Sequence, residues 1–186
     1  MSKSSNRLPR SIAVLKNLKA LACAALFASL SIVCGKYLAI PMGQILRFSF
    51  ENLPIILSGV LFGPILGAIT GILADLVGCL LVGYAINPIV TLGAATIGIV
   101  SGLVATAMKK SPLGARLSLS VAFAHISGSV IIKTFGLAKW YDLPLYELML
   151  WRLLNYLVVG ILEYIIIYAI LRSRAVNSQI DLMLED

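Results

Sequence analysis

The segment LPIILSGVLFGPILGAITGILADLVGCLLVG, residues 53–83, decides the fold of this chain. It is almost wholly apolar, and it is longer than one membrane crossing, which needs about 20 residues. Gly63 and Pro64 lie within it, and proline is tolerated in the first turn of a helix but disrupts a helix interior. The segment therefore predicts two helices, a short one over 52–62 and a longer one over 64–83, joined by a tight turn.

The composition of all 186 residues places the chain in a membrane. Hydrophobic residues make up 60% of it and charged residues 12%, and its mean hydropathy is +0.98. A soluble domain has about 45–50% apolar and about 25% charged residues, and it could not bury this much apolar surface. The composition excludes a soluble enzyme, a disordered segment and a disulfide-stabilised secreted domain.

The remaining apolar runs predict four further helices. We expect an all-α membrane protein whose six transmembrane helices form a single bundle, within one domain over residues 1–186. The predicted helices cover residues 18–34, 52–62, 64–83, 88–108, 117–135 and 148–171. Residues 35–51 then form a long loop between the first two helices.

The distribution of basic residues tests this division, because cytoplasmic loops of membrane proteins retain Lys and Arg. With six helices and both termini in the cytoplasm, ten of the 15 basic residues fall on the inner side: Lys3, Arg7, Arg10, Lys16, Lys19, Lys109, Lys110, Arg116, Arg172 and Arg174. A single helix over 53–83 would move Lys109, Lys110 and Arg116, among others, outside. The outer side keeps five basic and three acidic residues, an unusual positive excess for an external face.

Polar and aromatic residues cluster at the outer end of this predicted bundle. Ionisable side chains inside membrane spans are costly and usually face a cavity or a partner. The clustering of these side chains predicts a pocket that opens outward, with the loop over 35–51 as its lid. The alternative is that the basic side chains Lys133 and Arg152 only extend to the membrane interface. The candidate substrate-binding residues are Arg47, Phe48, Phe50, Asp75, Asn87, Lys133, Trp140, Arg152 and Asn155.

Two further polar residues, His125 and Glu163, lie deeper in the predicted helices. His125 is interpreted as a packing residue, and Glu163 is assigned no role. The sequence offers no nucleophile with its activating base, no phosphate-binding glycine loop and no metal-ligand spacing. We therefore expect no enzyme activity, no metal site and no cofactor.

Small residues recur at every fourth position in three of the helices. The stripes in the helices over 64–83 and 88–108 are interpreted as internal packing surfaces, where backbones approach closely in lipid. A third stripe, formed by Ala20, Ala24 and Ala28, could face either this bundle or a separate membrane subunit. The spacing of the three alanines does not distinguish these two interpretations.

Several of these segments resemble the substrate-binding S components of energy-coupling factor (ECF) vitamin transporters. The likeness covers nearly the whole chain and is carried by the basic N-terminus, Ala24-x-x-x-Ala28, Arg47-Phe-Ser-Phe-Glu-Asn-Leu-Pro54 and Leu61-Phe-Gly-Pro-Ile-Leu-Gly67. Arg47–Leu57, followed by Ala74-Asp-Leu-Val-Gly78, is most similar to the folate-specific branch.

The resemblance implies a multi-pass subunit in the plasma membrane of a prokaryote that captures folate from outside with high affinity. It implies delivery through a transmembrane coupling subunit and two ATPase subunits, with no ATPase site in this chain and no nucleic acid as partner. It assigns Ala24 and Ala28, extended by Ala20, to the interface with the coupling subunit. The alternatives are an S component for another vitamin, such as riboflavin or pantothenate, and a small oligomeric channel.

Folate offers three kinds of surface to such a pocket. Its pteridine edge mixes donors and acceptors, its aminobenzoate ring is aromatic, and its glutamate tail carries two carboxylates, which Arg binds in bidentate pairs. The candidates for the pteridine edge are Asp75, Asn87 and Asn155. Those for the aromatic ring are Phe48, Phe50 and Trp140. Those for the two carboxylates are Arg47, Lys133 and Arg152. A cationic vitamin fits the positive outer face poorly, and a neutral flavin would leave basic residues without a partner.

Overall fold

The computed structural model describes residues 18–42 and 46–173. The elements in chain order are α1 (Leu18–Tyr37), β1 (Ile40–Met42), β2 (Leu46–Phe48), α2 (Asn52–Phe62), α3 (Pro64–Val82), α4 (Pro88–Ala107), α5 (Leu113–Tyr141) and α6 (Leu145–Arg172). The described part of the chain is thus the predicted all-α bundle of six helices. Five of them are long and apolar enough to cross a membrane, whereas α2 has 11 residues and extends for about 16 Å.

Local chemistry explains where two of these helices begin. Gly63 has a φ of 95°, a conformation that glycine adopts without a Cβ clash, and Pro64 follows in the first turn of α3. Asn87 caps α4, because its Oδ1 accepts hydrogen bonds from the backbone N–H groups of Ile89 at 3.0 Å and Val90 at 3.4 Å. The predicted start sites of α3 and α4 therefore follow from side-chain and backbone chemistry within the turns themselves.

Helix α5 is longer than predicted and continues beyond residue 135 to Tyr141. Gly136 does not break it, since this glycine lies inside the helix against the side chain of Ile89 in α4. A Cβ at Gly136 would come within 2.9 Å of that side chain, so the glycine permits close packing of α4 and α5. The helix ends at Asp142, which adopts a left-handed conformation with a φ of 53°.

The loop predicted over 35–51 is shorter than expected and partly ordered by hydrogen bonds. Helix α1 continues to Tyr37 through a π-helical turn, Val33–Tyr37. The strands β1 and β2 then form an antiparallel hairpin in which Pro41 pairs with Arg47. The hairpin brings Arg47 back over the end of the bundle.

Helix α4 lies at the centre of the bundle and packs against α2, α3 and α5. Gly67 of α3 and Gly98 of α4 approach so closely that a Cβ on either residue would overlap the backbone carbonyl of the other. The prediction that the small residues of α3 and α4 form internal packing surfaces is therefore confirmed.

The alanine stripe of α1 also faces the inside of the bundle. Ala20, Ala24 and Ala28 are 1%, 2% and 5% exposed, and the first two pack with Phe62 of α2 and Leu66 of α3. This burial favours the internal-packing alternative, and their assignment to an interface with a coupling subunit stays a prediction. The small side chains let α1 approach its own neighbours closely, as small residues do between helices in lipid.

Large apolar side chains cover the outside of the described bundle, among them Leu26, Leu103 and Leu157. This exposure suits a surface in contact with lipid. The basic residues Lys3, Arg7, Arg10, Lys16 and Arg174 lie outside the described residues. Their cytoplasmic location stays a prediction.

Candidate functional site

A cavity of about 570 Å³ opens at one end of the bundle. The end of α1, the β1–β2 hairpin, the α3–α4 turn and the adjoining ends of α5 and α6 surround it. Its size falls in the range of roughly 300–1,000 Å³ that is typical of small-molecule sites. The cavity lies at the opposite end of α4 from the turn that carries Lys109 and Lys110.

The ionisable side chains that line the cavity carry an excess of positive charge. Four are basic and two are acidic: Lys36, Arg47, Lys133, Arg152, Glu51 and Asp75. A concave site lined mainly by one sign of charge concentrates ligands of the opposite sign. The arrangement favours an anionic ligand.

Lys133 is paired within the chain. Its Nζ lies 2.8 Å from Oε1 of Glu51 and 3.4 Å from Oδ1 of Asn52. Burial acts to raise the pKa of the Glu51 carboxyl, but the ammonium groups of Lys133 and Lys36 outweigh burial and lower it to about 2. Lys133 thus lines the cavity, but its charge is balanced by Glu51, so its pairing with a substrate carboxylate stays a prediction that this contact does not favour.

The two arginines of the cavity have neutral partners. Nη2 of Arg47 donates to the hydroxyl of Tyr84 at 2.6 Å. Nη2 of Arg152 donates to the backbone carbonyl of Ser129 at 3.1 Å and to the hydroxyl of Tyr156 at 3.2 Å. Among the described residues, neither arginine forms a salt bridge. Both guanidinium charges can therefore pair with an anion in the cavity.

Asp75 and Asn87 both line the cavity but differ in what they can offer a ligand. Oδ2 of Asp75 accepts a hydrogen bond of 2.6 Å from Thr91, and a carboxylate has further acceptor capacity. The Asn87 amide caps α4 and donates to the carbonyl of Gly136 at 2.9 Å. Asn87 thus has a structural role in the cavity wall, and its contact with substrate stays a prediction.

The predicted aromatic residues do not line this cavity. Phe48 and Phe50 pack edge to face on each other at 5.6 Å between ring centroids, and Phe50 also packs against the core. Trp140 is 50% exposed, and none of these three residues is among those that line the cavity. The aromatic walls are instead Tyr84, Tyr141 and Tyr156.

Asn155 lies beside the cavity and holds the hairpin. Its Nδ2 donates to the backbone carbonyl of Arg47 at 3.3 Å, which ties β2 to α6. Its predicted contact with the pteridine edge stays a prediction beside this anchoring role. Of the residues that sequence analysis missed, Tyr156 could have been found from its spacing, because it lies one helical turn after Arg152 on the same face of α6.

The comparisons with known proteins agree with this architecture. A family model described as "ECF transporter, substrate-specific component" matches residues 19–172. A crystal structure of FolT bound with folic acid is similar with a TM-score of 0.66 and 25% sequence identity, over 81% of this chain and 91% of that chain. An S-component for biotin from an ECF-type ABC transporter shares the fold, with a TM-score of 0.62 and 18% identity over 86% and 94% of the two chains. No protein of curated function matches the sequence.

Proposed function

Since this chain belongs to the family of substrate-specific components of ECF transporters, we propose that it captures folate at the outer face of a prokaryotic plasma membrane. The family consists of transport components rather than enzymes. A transmembrane coupling subunit and two ATPase subunits would supply the energy for import, and ATP hydrolysis is assigned to those partners.

The observation that carries the proposal is the pair of arginines in one cavity. Arg47 on the hairpin and Arg152 on α6 both line the cavity, and their described partners are neutral. The glutamate tail of folate carries two carboxylates, and Arg binds carboxylates through paired, charge-assisted hydrogen bonds. The similarity to a FolT structure that holds folic acid supports the same ligand.

The rest of the cavity suits the rest of the molecule. The Asp75 carboxylate provides an acceptor for the N–H donors on the pteridine edge. Tyr84, Tyr141 and Tyr156 provide aromatic surfaces for the two ring systems. In this proposal the pteridine edge meets the Asp75 carboxylate, the ring systems meet the tyrosines, and the glutamate tail meets the two arginines.

The charge distribution sets the proposed orientation. Lys109 and Lys110 lie at the far end of α4 from the cavity, and the positive-inside rule assigns such a turn to the cytoplasm. The cavity then opens outward, as capture of an external vitamin requires.

Competition binding separates folate from the other vitamins. Labelled folic acid bound to the detergent-purified protein should be displaced by unlabelled folic acid, but not by an equal excess of riboflavin, pantothenate or biotin. Pantothenate and biotin each carry one carboxylate and riboflavin carries none, so a dicarboxylate should gain the most from two arginines. Displacement by one of these three in preference to folic acid would reject the folate assignment while keeping the family.

Uptake into proteoliposomes tests the proposed coupling. The chain alone should bind folate without accumulating it, and accumulation should require the coupling subunit, the ATPase subunits and ATP. Equilibration of folate across the membrane by the chain alone, without ATP, would favour the channel alternative instead.

A further inference from the structure

His125 and Glu163 form a polar pair deep inside the bundle that does not line the proposed binding cavity. Nε2 of His125 lies 2.7 Å from Oε2 of Glu163, and the two residues are 4% and 0% exposed. This contact joins α5 to α6 and fixes the orientation of the His125 ring.

The Nδ1 side of this ring faces Ser129. Nδ1 lies 3.3 Å from the Ser129 hydroxyl, which also receives a hydrogen bond of 3.2 Å from Nδ2 of Asn52. The backbone carbonyl of Ser129 accepts from Arg152. Ser129 lies in the π-helical segment His125–Ile132 of α5, a backbone geometry that is frequent at functional sites.

A second contact leads from His125 to the same arginine. The ring of Tyr156 stacks on the imidazole, with 5.0 Å between centroids and 27° between planes. The hydroxyl of Tyr156 accepts the other hydrogen bond from Nη2 of Arg152. His125 thus contacts both residues that hold this nitrogen of the guanidinium.

Arg152 depends on these two supports. Its Nε is buried and has no hydrogen-bond partner among the described residues. Displacement of Ser129 or Tyr156 would therefore move the guanidinium, whose paired hydrogen bonds to a carboxylate have strict geometry.

We infer that His125, fixed by Glu163, is a positioning residue that holds the Arg152 guanidinium toward the anionic group of the substrate. The inference rests on the proposed function, because it takes the carboxylates of folate as that group. It assigns a role in substrate selectivity to a pair that lies outside the cavity.

The test compares the double variant H125F/E163Q with E163Q alone. Phenylalanine keeps an aromatic ring against Tyr156 but removes both ring nitrogens, and glutamine avoids leaving a buried charge without its partner. E163Q alone keeps an acceptor for Nε2 and is the matched control. Each protein is titrated with folic acid and with its bis-amide, in which both carboxylates are neutral amides.

We expect H125F/E163Q to weaken the binding of folic acid by about tenfold, the scale of one charge-assisted hydrogen bond. Binding of the bis-amide should be unchanged, and both changes are measured relative to E163Q alone. In an Arg152→Ala background, replacing His125 should have no further effect on folic acid. The variant S129A, which removes one hydroxyl, should weaken the binding of folic acid but not that of the bis-amide. It provides the test if the double variant does not fold.

Equal losses for folic acid and the bis-amide would overturn the inference alone, because they would indicate a general structural defect. The same loss in the Arg152→Ala background would overturn it as well, since the effect would then bypass Arg152. Wild-type protein that binds neither ligand would instead overturn the proposed function, and the inference with it.

Discussion

The Arg47 guanidinium donates a 2.6 Å hydrogen bond to the hydroxyl of Tyr84 and lies over the same ring, with 5.1 Å from Cζ to the ring centroid. Arg47 belongs to β2 and Tyr84 to the α3–α4 turn, so this contact ties the hairpin across the cavity. The ammonium of Lys36 lies 5.6 Å from the centroid of the same ring. A tyrosine in contact with two cations therefore lies where the hairpin meets the bundle.

Replacing either cavity arginine should weaken folate binding. We expect Arg47→Ala and Arg152→Ala each to reduce the affinity for folic acid at least about tenfold, since truncating one partner of a desolvated charge pair commonly costs about 2–5 kcal/mol. Calorimetric titration of the purified variants measures the change.

Lys139→Ala is the matched control for both arginine variants. Lys139 lies near the same end of α5, is exposed and does not line the cavity, so its loss removes one positive charge without touching the site. We expect its folate affinity to equal that of the wild type. Unchanged affinity in both arginine variants would reject the site assignment.

The Glu51–Lys133 pair should make stability depend on acid pH. The pKa of Glu51 lies at about 2 in the fold, below its ordinary value of 4.5, so the ionised carboxylate stabilises the native state at any pH above 4.5. The difference corresponds to a contribution of about 3 kcal/mol to the free energy of unfolding at neutral pH. This contribution should disappear as the pH falls from 4.5 to 2.

The variant Glu51→Gln isolates this effect, because glutamine keeps a hydrogen-bond acceptor for Lys133 but does not titrate. Unfolding of both proteins in detergent, followed from pH 7 down to pH 2, should show the wild type more stable at neutral pH and the two converging at the acid end. A stability difference that stays constant over this range would contradict the pairing.

The buried alanine stripe of α1 predicts different outcomes for two neighbouring substitutions. Ala24 is 2% exposed and packs with Phe62 and Leu66, whereas the neighbouring Ala25 is exposed. We expect Ala24→Trp to lower the free energy of unfolding by about 1–3 kcal/mol through overpacking, and Ala25→Trp to leave it unchanged. Thermal unfolding in detergent distinguishes them, and equal stability of the two variants would show that the stripe does not pack internally.

The sequence predicts the bundle well because its main determinants are local. Apolar runs of membrane-spanning length, Gly63 followed by Pro64, and the Asn87 cap act within one or two turns, so they can be interpreted without knowledge of the partners. Gly136 is the exception, since it resembles a helix end in sequence but serves contact with Ile89 of α4. Only the packing partner distinguishes the two roles.

The candidate site was less predictable because it depends on which side chains meet across the bundle. Charge and depth place Arg47, Asp75 and Arg152 at the cavity. They do not reveal that Glu51 neutralises Lys133, 82 positions apart in the chain. The pairing of His125 with Glu163, 38 positions apart, likewise has no signature in local spacing.

Titration of folic acid into the purified wild-type protein, followed by isothermal calorimetry, tests the central claim most directly. The account predicts saturable binding of one folic acid per chain, together with a much weaker response to the bis-amide that lacks both carboxylates. Absence of folic acid binding in folded protein, or equal affinity for folic acid and its bis-amide, would contradict it.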